Sequence, residues 1–545
     1  MTRHLLFAAA GLLLAACSTV SIDGPTAPRG DPAAGRLTLP SGRTVWVYPN
    51  DLAFTGQARY EWPDGRAYAG GWLSGRPHGT GLMRSDDGER YSGMWNEGRR
   101  HGHGELTNPN GDHYVGSFVN GLREGAGTQK SQDGFYRGEW AGDLPNGEGR
   151  FNANDGSLYQ GQWLDGERAG TGTYTDASGN RYEGEWLADV PHGFGILTEQ
   201  DGSEYDGRWT AGSRDGYGAS RNALDMAYEG TWNAGNYHGF GILLRPDGSS
   251  YEGEWHHGKR QGQGRETDPE GGFHDGAWEN NQPLGPGTRR DVAGVEIAGM
   301  WTGSRVRTGL VKLPTGLEYA GPLFKDRNRG VSAPLQEWLL TQASRGDPYA
   351  QLYLGRAFDD LGGTSADAAR AAQWYALAAA AGVAEARYRL ALLNIEDNPP
   401  RAVELLAAAA GQGHARANAA LADCYLAGKI VPRNAARAIA YLETAMDAGS
   451  VAARNTLARV LATTTEDGLR DGARAVALIR PLALYTESWW QLDTLAAALA
   501  ETGAYGDAVT ALQLALERAD QISPRDVQQL VDHLAAYRAE TPLRE

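Results

Sequence analysis

The chain is 545 residues long, with a net charge of −16, 75 glycines, 16 tryptophans and 2 cysteines. Glycine is about 14% of it, roughly twice the usual ~7%, but no strict every-third spacing exists, which excludes collagen. The tryptophans and a 41% hydrophobic content exclude general disorder, and the acidic balance argues against nucleic acid or an anionic lipid surface as the main partner. Turns at regular intervals are the remaining use for so much glycine.

The chain opens Met-Thr-Arg-His, followed by an apolar run from Leu5 to Ala16 and then Cys17. A positive start before a short apolar run reads as a secretory signal, too short to cross a bilayer as a helix. Leu14-Ala15-Ala16-Cys17 resembles a bacterial lipobox. The resemblance implies that residues 1–16 are a signal peptide, cleaved before Cys17, and that Cys17 is acylated on its sulfur and its new amino group. Several acyl chains anchor firmly, at about 0.8 kcal/mol per buried methylene. Ser18 stands where an aspartate would mark inner-membrane retention, which points to the outer membrane. Cys424 is then the single cysteine of the mature chain, with no intrachain disulfide partner, and its Ala-rich surroundings read as a buried helix. Residues 17–40 are rich in Pro, Gly, Ala, Ser and Thr without apolar periodicity and read as a flexible tether.

Aromatic anchors follow at Tyr68, Tyr91, Tyr114, Tyr136, Tyr159, Tyr182, Tyr205, Tyr228 and Tyr251, spaced by 23 residues with one step of 22. Weaker copies stand at His274, Ile297 and Tyr319, and a worn one precedes the set, making about thirteen units. A glycine comes two residues after each anchor and an aromatic usually four after. A Gly-x-Gly pair closes the pattern, as in Tyr182, Gly184, Trp186, Gly193 and Gly195. Tyr-x-Gly-x-Trp has period two, which puts all three residues on one face of a strand. Asp-Gly pairs before most anchors, such as Asp64-Gly65 and Asp201-Gly202, predict two-residue hairpin turns with positive φ at both positions. Each unit is a hairpin that cannot bury its ring face alone, so residues 41–330 are expected to stack.

This pattern resembles the membrane occupation and recognition nexus (MORN) repeat. The resemblance implies meandering antiparallel hairpins in an elongated array with an aromatic groove, used as a scaffold, a self-association surface or a peptide groove. Lipid binding by the array fits poorly. Residues 41–330 carry 29 Lys and Arg against 40 Asp and Glu, a net of −11, whereas anionic lipid needs basic clusters. The rings of the most regular units, Tyr182, Trp186, Tyr205, Trp209, Tyr228, Trp232, Tyr251 and Trp255, have two readings. They pack the sheet face, or they form a partly exposed row that binds a protein or a glycan, since Trp and Tyr dominate binding hot spots. His78, His101, His192 and His238 lie in different units and do not converge as zinc ligands do, so no metal site is predicted.

Composition changes near Pro322–Pro334, where glycine thins out and alanine dominates. The phrase Gly-x-x-x-Ala recurs at Gly346, Gly382, Gly413 and Gly449, each time before a Leu- or Ala-rich helical segment. Pro399-Pro400 and Pro432 suit helix starts. These phrases resemble Sel-like repeats, relatives of the tetratricopeptide repeat, over residues 335–485. Residues 486–545 resemble a tetratricopeptide-like unit with a capping helix. In that segment Ser488-Trp-Trp-Gln491 reads as a capping box, and Ser523-Pro-Arg-Asp526 as the start of the last helix. The resemblance implies an α-helical solenoid that binds protein or peptide on a concave face. Trp374, Tyr375 and Trp489 read as core.

No nucleophile elbow, phosphate loop, His-Glu-x-x-His or Cys-x-x-Cys occurs, so neither an enzyme nor a cofactor is expected. The expected architecture is a multidomain repeat protein: an N-terminal antiparallel β-hairpin array followed by a tetratricopeptide-like α-helical solenoid. The expected function is a lipid-anchored envelope scaffold for protein partners not named by the sequence. Self-association of the β array is one variant of it. An alternative is binding of peptidoglycan or polysaccharide on the ring row. No nucleic-acid partner is expected, and the membrane is met only through the anchor.

Overall fold

The computed structural model describes residues 26–324, 331–359, 365–486, 488–517 and 522–545. Cys17 and the signal segment lie outside the described residues. Packing divides the chain into two units, Met1–Gln200 and Asp201–Glu545. Among the described residues, the first holds fifteen β-strands, the second eleven strands and, after them, twelve α-helices. The composition change near residue 330 therefore falls inside the second unit.

The repeat is built around one ring and two glycines. The strand Arg181–Leu187 pairs antiparallel with Val190–Thr198. Tyr182, Gly184 and Trp186 share the inward face, as period two requires. A Cβ on Gly184 would sit 2.4 Å from the Gly195 Cα, and one on Gly195 would sit 2.3 Å from the Tyr182 hydroxyl. The tyrosine ring thus lies flat across both glycines. Its hydroxyl then reaches the Glu185 carbonyl and donates to it at 2.9 Å. Gly193 has φ +63 beside the bulge that shifts register between Gly184 and Glu185. Tyr182 meets Trp186 edge to face at 5.1 Å, and Trp186 meets Tyr159 of the preceding repeat at 5.3 Å. Each repeat is therefore locked to the one before it.

The turns differ from the expectation. Asp64 has ordinary φ, and only Gly65 is left-handed, at +95. Trp62 N–H donates to the Arg66 carbonyl and Gly65 N–H to the Trp62 carbonyl. This is a type I turn with a glycine bulge, and the Asp64 carboxylate accepts from Arg66 N–H. The two-residue turns with positive φ at both positions lie at the other end of the hairpins, at Ser74-Gly75 or Ala188-Asp189 for instance.

The expected tether is also shorter than residues 17–40. Gly35–Thr38 is a strand, paired with Thr44–Val47 and Gly56–Glu61. Leu37 is fully buried there, and Gly35 leaves the room that the Tyr60 ring occupies. A four-residue strand in Gly- and Ala-rich sequence shows too little alternation to stand out.

The helices of the second unit are α1 Ala333–Ser344, α2 Pro348–Asp359, α3 Ser365–Ala380, α4 Ala384–Asn394, α5 Pro399–Ala410 and α6 Ala415–Ala427. They continue as α7 Ala435–Asp447, α8 Val451–Thr463, α9 Gly472–Thr486, α10 Trp489–Glu501, α11 Tyr505–Leu516 and α12 Pro524–Arg538. The Gly-x-x-x-Ala phrase is the joint between them. Gly346, Gly382, Gly413 and Gly449 all have left-handed φ where α1, α3, α5 and α7 stop. Asp347 and Ser450 cap α2 and α8, and the alanines Ala350, Ala386, Ala417 and Ala453 are buried where helices cross. Ser523 caps α12 as expected. Ser488 precedes α10 but makes no side-chain cap bond, and Gln491 bonds Thr486 instead, so no capping box forms there.

Within the second unit the last hairpins and the helices share a core. Leu335 and Leu339 of α1 pack with Val311, Leu313 and Leu323. Three hairpin turns then touch the helices. Asp291 accepts from Tyr353 and Arg356 of α2, Glu270 pairs with Arg416 of α6, and the Pro246 carbonyl accepts from Arg454 of α8. Gly449 sits at φ +89, and the Pro269 carbonyl lies where a Cβ would be. Gly449→Ala is expected to cost about 2 kcal/mol or more through left-handed strain plus this clash, read as a lowered first midpoint in calorimetry.

Candidate functional site

The eight rings singled out in the sequence are interior. Tyr182, Trp186, Tyr205, Trp209, Tyr228, Trp232, Tyr251 and Trp255 range from 0% to 7% exposed. Burial pushes the Tyr205 hydroxyl up to about 12, and it donates to the Arg208 carbonyl. Trp186, Trp232 and Trp255 donate their indole N–H to the carbonyls of Gly172, Gly218 and Gly241. The packing reading of these rings is the one the structure favours over a partly exposed row: stacking buries each ring under its neighbours.

What covers the rings is arginine. The ninth residue after the anchor lays its guanidinium over the indole of the next repeat. Arg123 lies 4.1 Å from Trp140, Arg168 4.4 Å from Trp186, and Arg260 4.4 Å from Trp278. Turn residues hold these guanidiniums in place. Arg123 bonds Asp143, Arg168 bonds Asp189, and Arg260 bonds the Asn281 carbonyl. Cation–π contacts of this kind contribute about 0.5–2 kcal/mol each. Sequence reasoning missed this row because its signal, an Arg at a fixed offset, is interrupted by Pro77, Pro145, Pro191, Tyr237, Pro283 and Val306.

Two clefts open where proline replaces the arginine. In the first unit Pro145 precedes Trp163, and a cleft of about 580 Å3 is lined by Arg123, Phe151, Trp163, Arg168 and Tyr174. In the second unit Pro283 precedes Trp301, and a cleft of about 390 Å3 is lined by Arg260, His274, Arg289 and Trp301. His274 fills an anchor slot with a ring shorter than tyrosine. Its Nε2 is buried without a partner, and burial pushes its pKa below the ordinary imidazole value.

The opposite sheet face carries exposed apolar side chains. In the second unit Phe240, Ile242 and Leu244 alternate outward along the strand Asn236–Leu244. Tyr217 stands nearby at 60% exposure and donates to Glu229. Glu229 on one side and Glu252 and Glu254 on the other are the cross-strand neighbours. Phe194 and Ile196 have the same outward placement in the first unit.

In the helices Cys424 is buried, and burial raises its thiol pKa, so it is an inert core residue. Tyr375 is core, and Trp489 is partly buried against the core of the last helices. Among the described residues no group of three or more His, Cys, Asp or Glu is placed to hold a metal ion. No described helix is long and apolar enough to cross a membrane.

Ring-cored hairpins and glycine-jointed helix pairs define a protein of two repeat arrays. The MORN repeat model matches residues 68–90, 91–113, 114–134, 136–158, 159–181, 182–204, 205–219, 228–250, 251–273 and 274–294. The Sel1 repeat model matches 348–383, 384–414 and 415–450. Repeats of both kinds typically mediate protein–protein interaction and are typically non-catalytic. No curated protein matches the chain. Among solved structures, the chain is similar to a protective antigen of uropathogenic Escherichia coli strains that displays an SLR fold. Identity there is 17%, covering 38% of this chain and 56% of that one, with a TM-score of 0.27. It is also similar to a Sel1 repeat protein from Oxalobacter formigenes, at 22% identity over 33% of this chain and 77% of that one, with a TM-score of 0.29. The chain thus spans little more than half the length of the first of these.

Proposed function

We propose that this protein is a lipid-anchored scaffold of the bacterial cell envelope, at the outer membrane, that holds protein partners on its two repeat arrays. The observation that carries this reading is the outward column Phe240, Ile242 and Leu244 between carboxylates. A contiguous apolar column on an exposed sheet face is the kind of surface protein partners cover. Its flanking glutamates favour a partner with basic residues beside its apolar ones. The lipobox-like run ending at Cys17 supports the anchor. The ring-row alternative for glycan has less support, because the eight rings it would use are core.

Crosslinking in whole cells, with mass spectrometry, tests the scaffold. Phe240→Glu with Ile242→Glu should abolish the crosslinked partners while leaving the fold intact by circular dichroism. Unchanged crosslinks would sink the reading, and a crosslink only to a second copy would narrow it to self-association. Cys17→Ser should move the protein from the outer-membrane fraction to the soluble periplasm, and unaltered fractionation would overturn the anchor.

A further inference from the structure

Arginine covers the next ring from Arg100, Arg123, Arg168, Arg214 and Arg260, whereas proline stands at the same offset at Pro77, Pro145, Pro191 and Pro283. Pro145 occupies the offset from which Arg123 reaches Trp140 and Arg168 reaches Trp186. Its short ring cannot extend over the next indole. Among the described residues, Trp163 is the one tryptophan of the Tyr-x-Gly-x-Trp row that is not buried, whereas Trp95, Trp209 and Trp301, which also follow a proline at this offset, are 7%, 7% and 4% exposed. The cleft beside it holds about 580 Å3, within the range of small-ligand sites.

Two indole donors in its lining lack acceptors. Trp140 is 4% exposed and its Nε1 has no partner, nor has the Nε1 of Trp163. Trp95 and Trp186 donate to the carbonyls of Gly81 and Gly172. The turn before the Trp140 strand, Ser131 to Gly134, is one residue shorter than its counterparts, but Trp163 follows a full-length turn, Ala153 to Ser157, and lacks the bond as well. Buried donors without protein acceptors are uncommon, and because both nitrogens are covered their fitting acceptor is ordered water rather than a ligand in the cleft.

The geometry points to this cleft as a saccharide-binding site. Phe151, Trp163 and Tyr174 offer aromatic faces for sugar C–H groups. Gln129 adds a side-chain amide whose Oε1 accepts from Arg123, and Ser131 a hydroxyl that donates to the Gly134 carbonyl. Arg123 and Arg168 are paired with Asp143 and Asp189, so the cleft presents planar hydrogen-bonding groups without a free cation. That disfavours a strongly acidic ligand. A peptide strand finds no sheet edge to extend either, since Leu144–Ala153 and Leu158–Leu164 are paired on both sides. The space suits about one or two pyranose rings. This site is independent of the protein-binding column.

The test titrates the full-length protein with chitotetraose, cellotetraose and maltotetraose, followed by calorimetry and tryptophan fluorescence. At least one sugar should bind saturably. Pro145→Arg, which restores a guanidinium over Trp163 without emptying the core, should weaken that binding at least tenfold with an unchanged melting temperature. Trp163→Ala should weaken it comparably. The proposal is overturned if no sugar saturates at millimolar concentration, or if Pro145→Arg binds as well as the parent. Retention of a Lys-rich or Asp-rich probe peptide in place of any sugar would overturn it too.

Discussion

Gly195→Val is expected to destabilise the first unit by about 3–5 kcal/mol, the cost of evicting a large core side chain. The Cβ alone would lie 2.3 Å from the Tyr182 hydroxyl and 2.5 Å from its Cζ. The ring cannot retreat, because its hydroxyl is held by the Glu185 carbonyl and its edge by Trp186. It would have to leave the sheet face, which uncovers Trp186 and loosens the join to the preceding repeat. Gly156→Ala is the comparison. Gly156 has φ +95 but open space around it, so only left-handed strain of about 1 kcal/mol applies. Urea unfolding followed by tryptophan fluorescence separates the two, and equal small losses would show that the ring does not need the glycine.

The second large effect is expected at Glu385, which α4 buries to 5% exposure. Burial raises a carboxyl pKa, but bonds from His414 Nε2 at 2.8 Å and Arg389 Nε at 2.7 Å outweigh it, and the group falls from its ordinary 4.5 to about 2. His414 is itself fixed, since its Nδ1 accepts from Ala417 N–H at the start of α6. A pKa lower in the folded state contributes stability that is fully present above 4.5 and is lost as pH falls through about 2. The size is about 3 kcal/mol at pH 7 as an upper bound. Glu385→Gln should lose about 2–3 kcal/mol at neutral pH, because it leaves Arg389 without its buried counter-charge. The gap between parent and variant should close as pH falls from 4.5 towards 2, read by urea unfolding of the helices with circular dichroism. A pH-independent gap would assign the loss to packing instead.

Much of the fold was legible because repetition amplifies weak local signals. One Tyr-x-Gly-x-Trp is ambiguous, but in-phase copies at a fixed interval leave only a stacked hairpin. The glycine joints of the helices were readable for the same reason. Single features fared worse. The Asp-Gly pairs marked turns correctly, yet turn type depends on the strand twist and bulge on either side, which a dipeptide does not encode. The short strand at Gly35–Thr38 has no periodicity long enough to read. The capping box at Ser488 matched in composition, but Gln491 found Thr486 first.

The site was the least legible part. Tyr182, Trp186 and the other regular rings drew attention because they fit the repeat best, and fitting best is what buries them. Trp163 is open while Trp95, Trp209 and Trp301, which also follow a proline in the preceding repeat, are buried, and that difference arises only once hairpins stack.

Taken alone, the sequence determined the two kinds of repeat, their phase and the face of the strand that carries the rings, since these follow from spacing and side-chain alternation within one unit. Tertiary structure decided which rings are covered, where clefts open, and that the last hairpin turns grip α2, α6 and α8. Those outcomes depend on what one repeat lays upon the next, and no single unit contains that information.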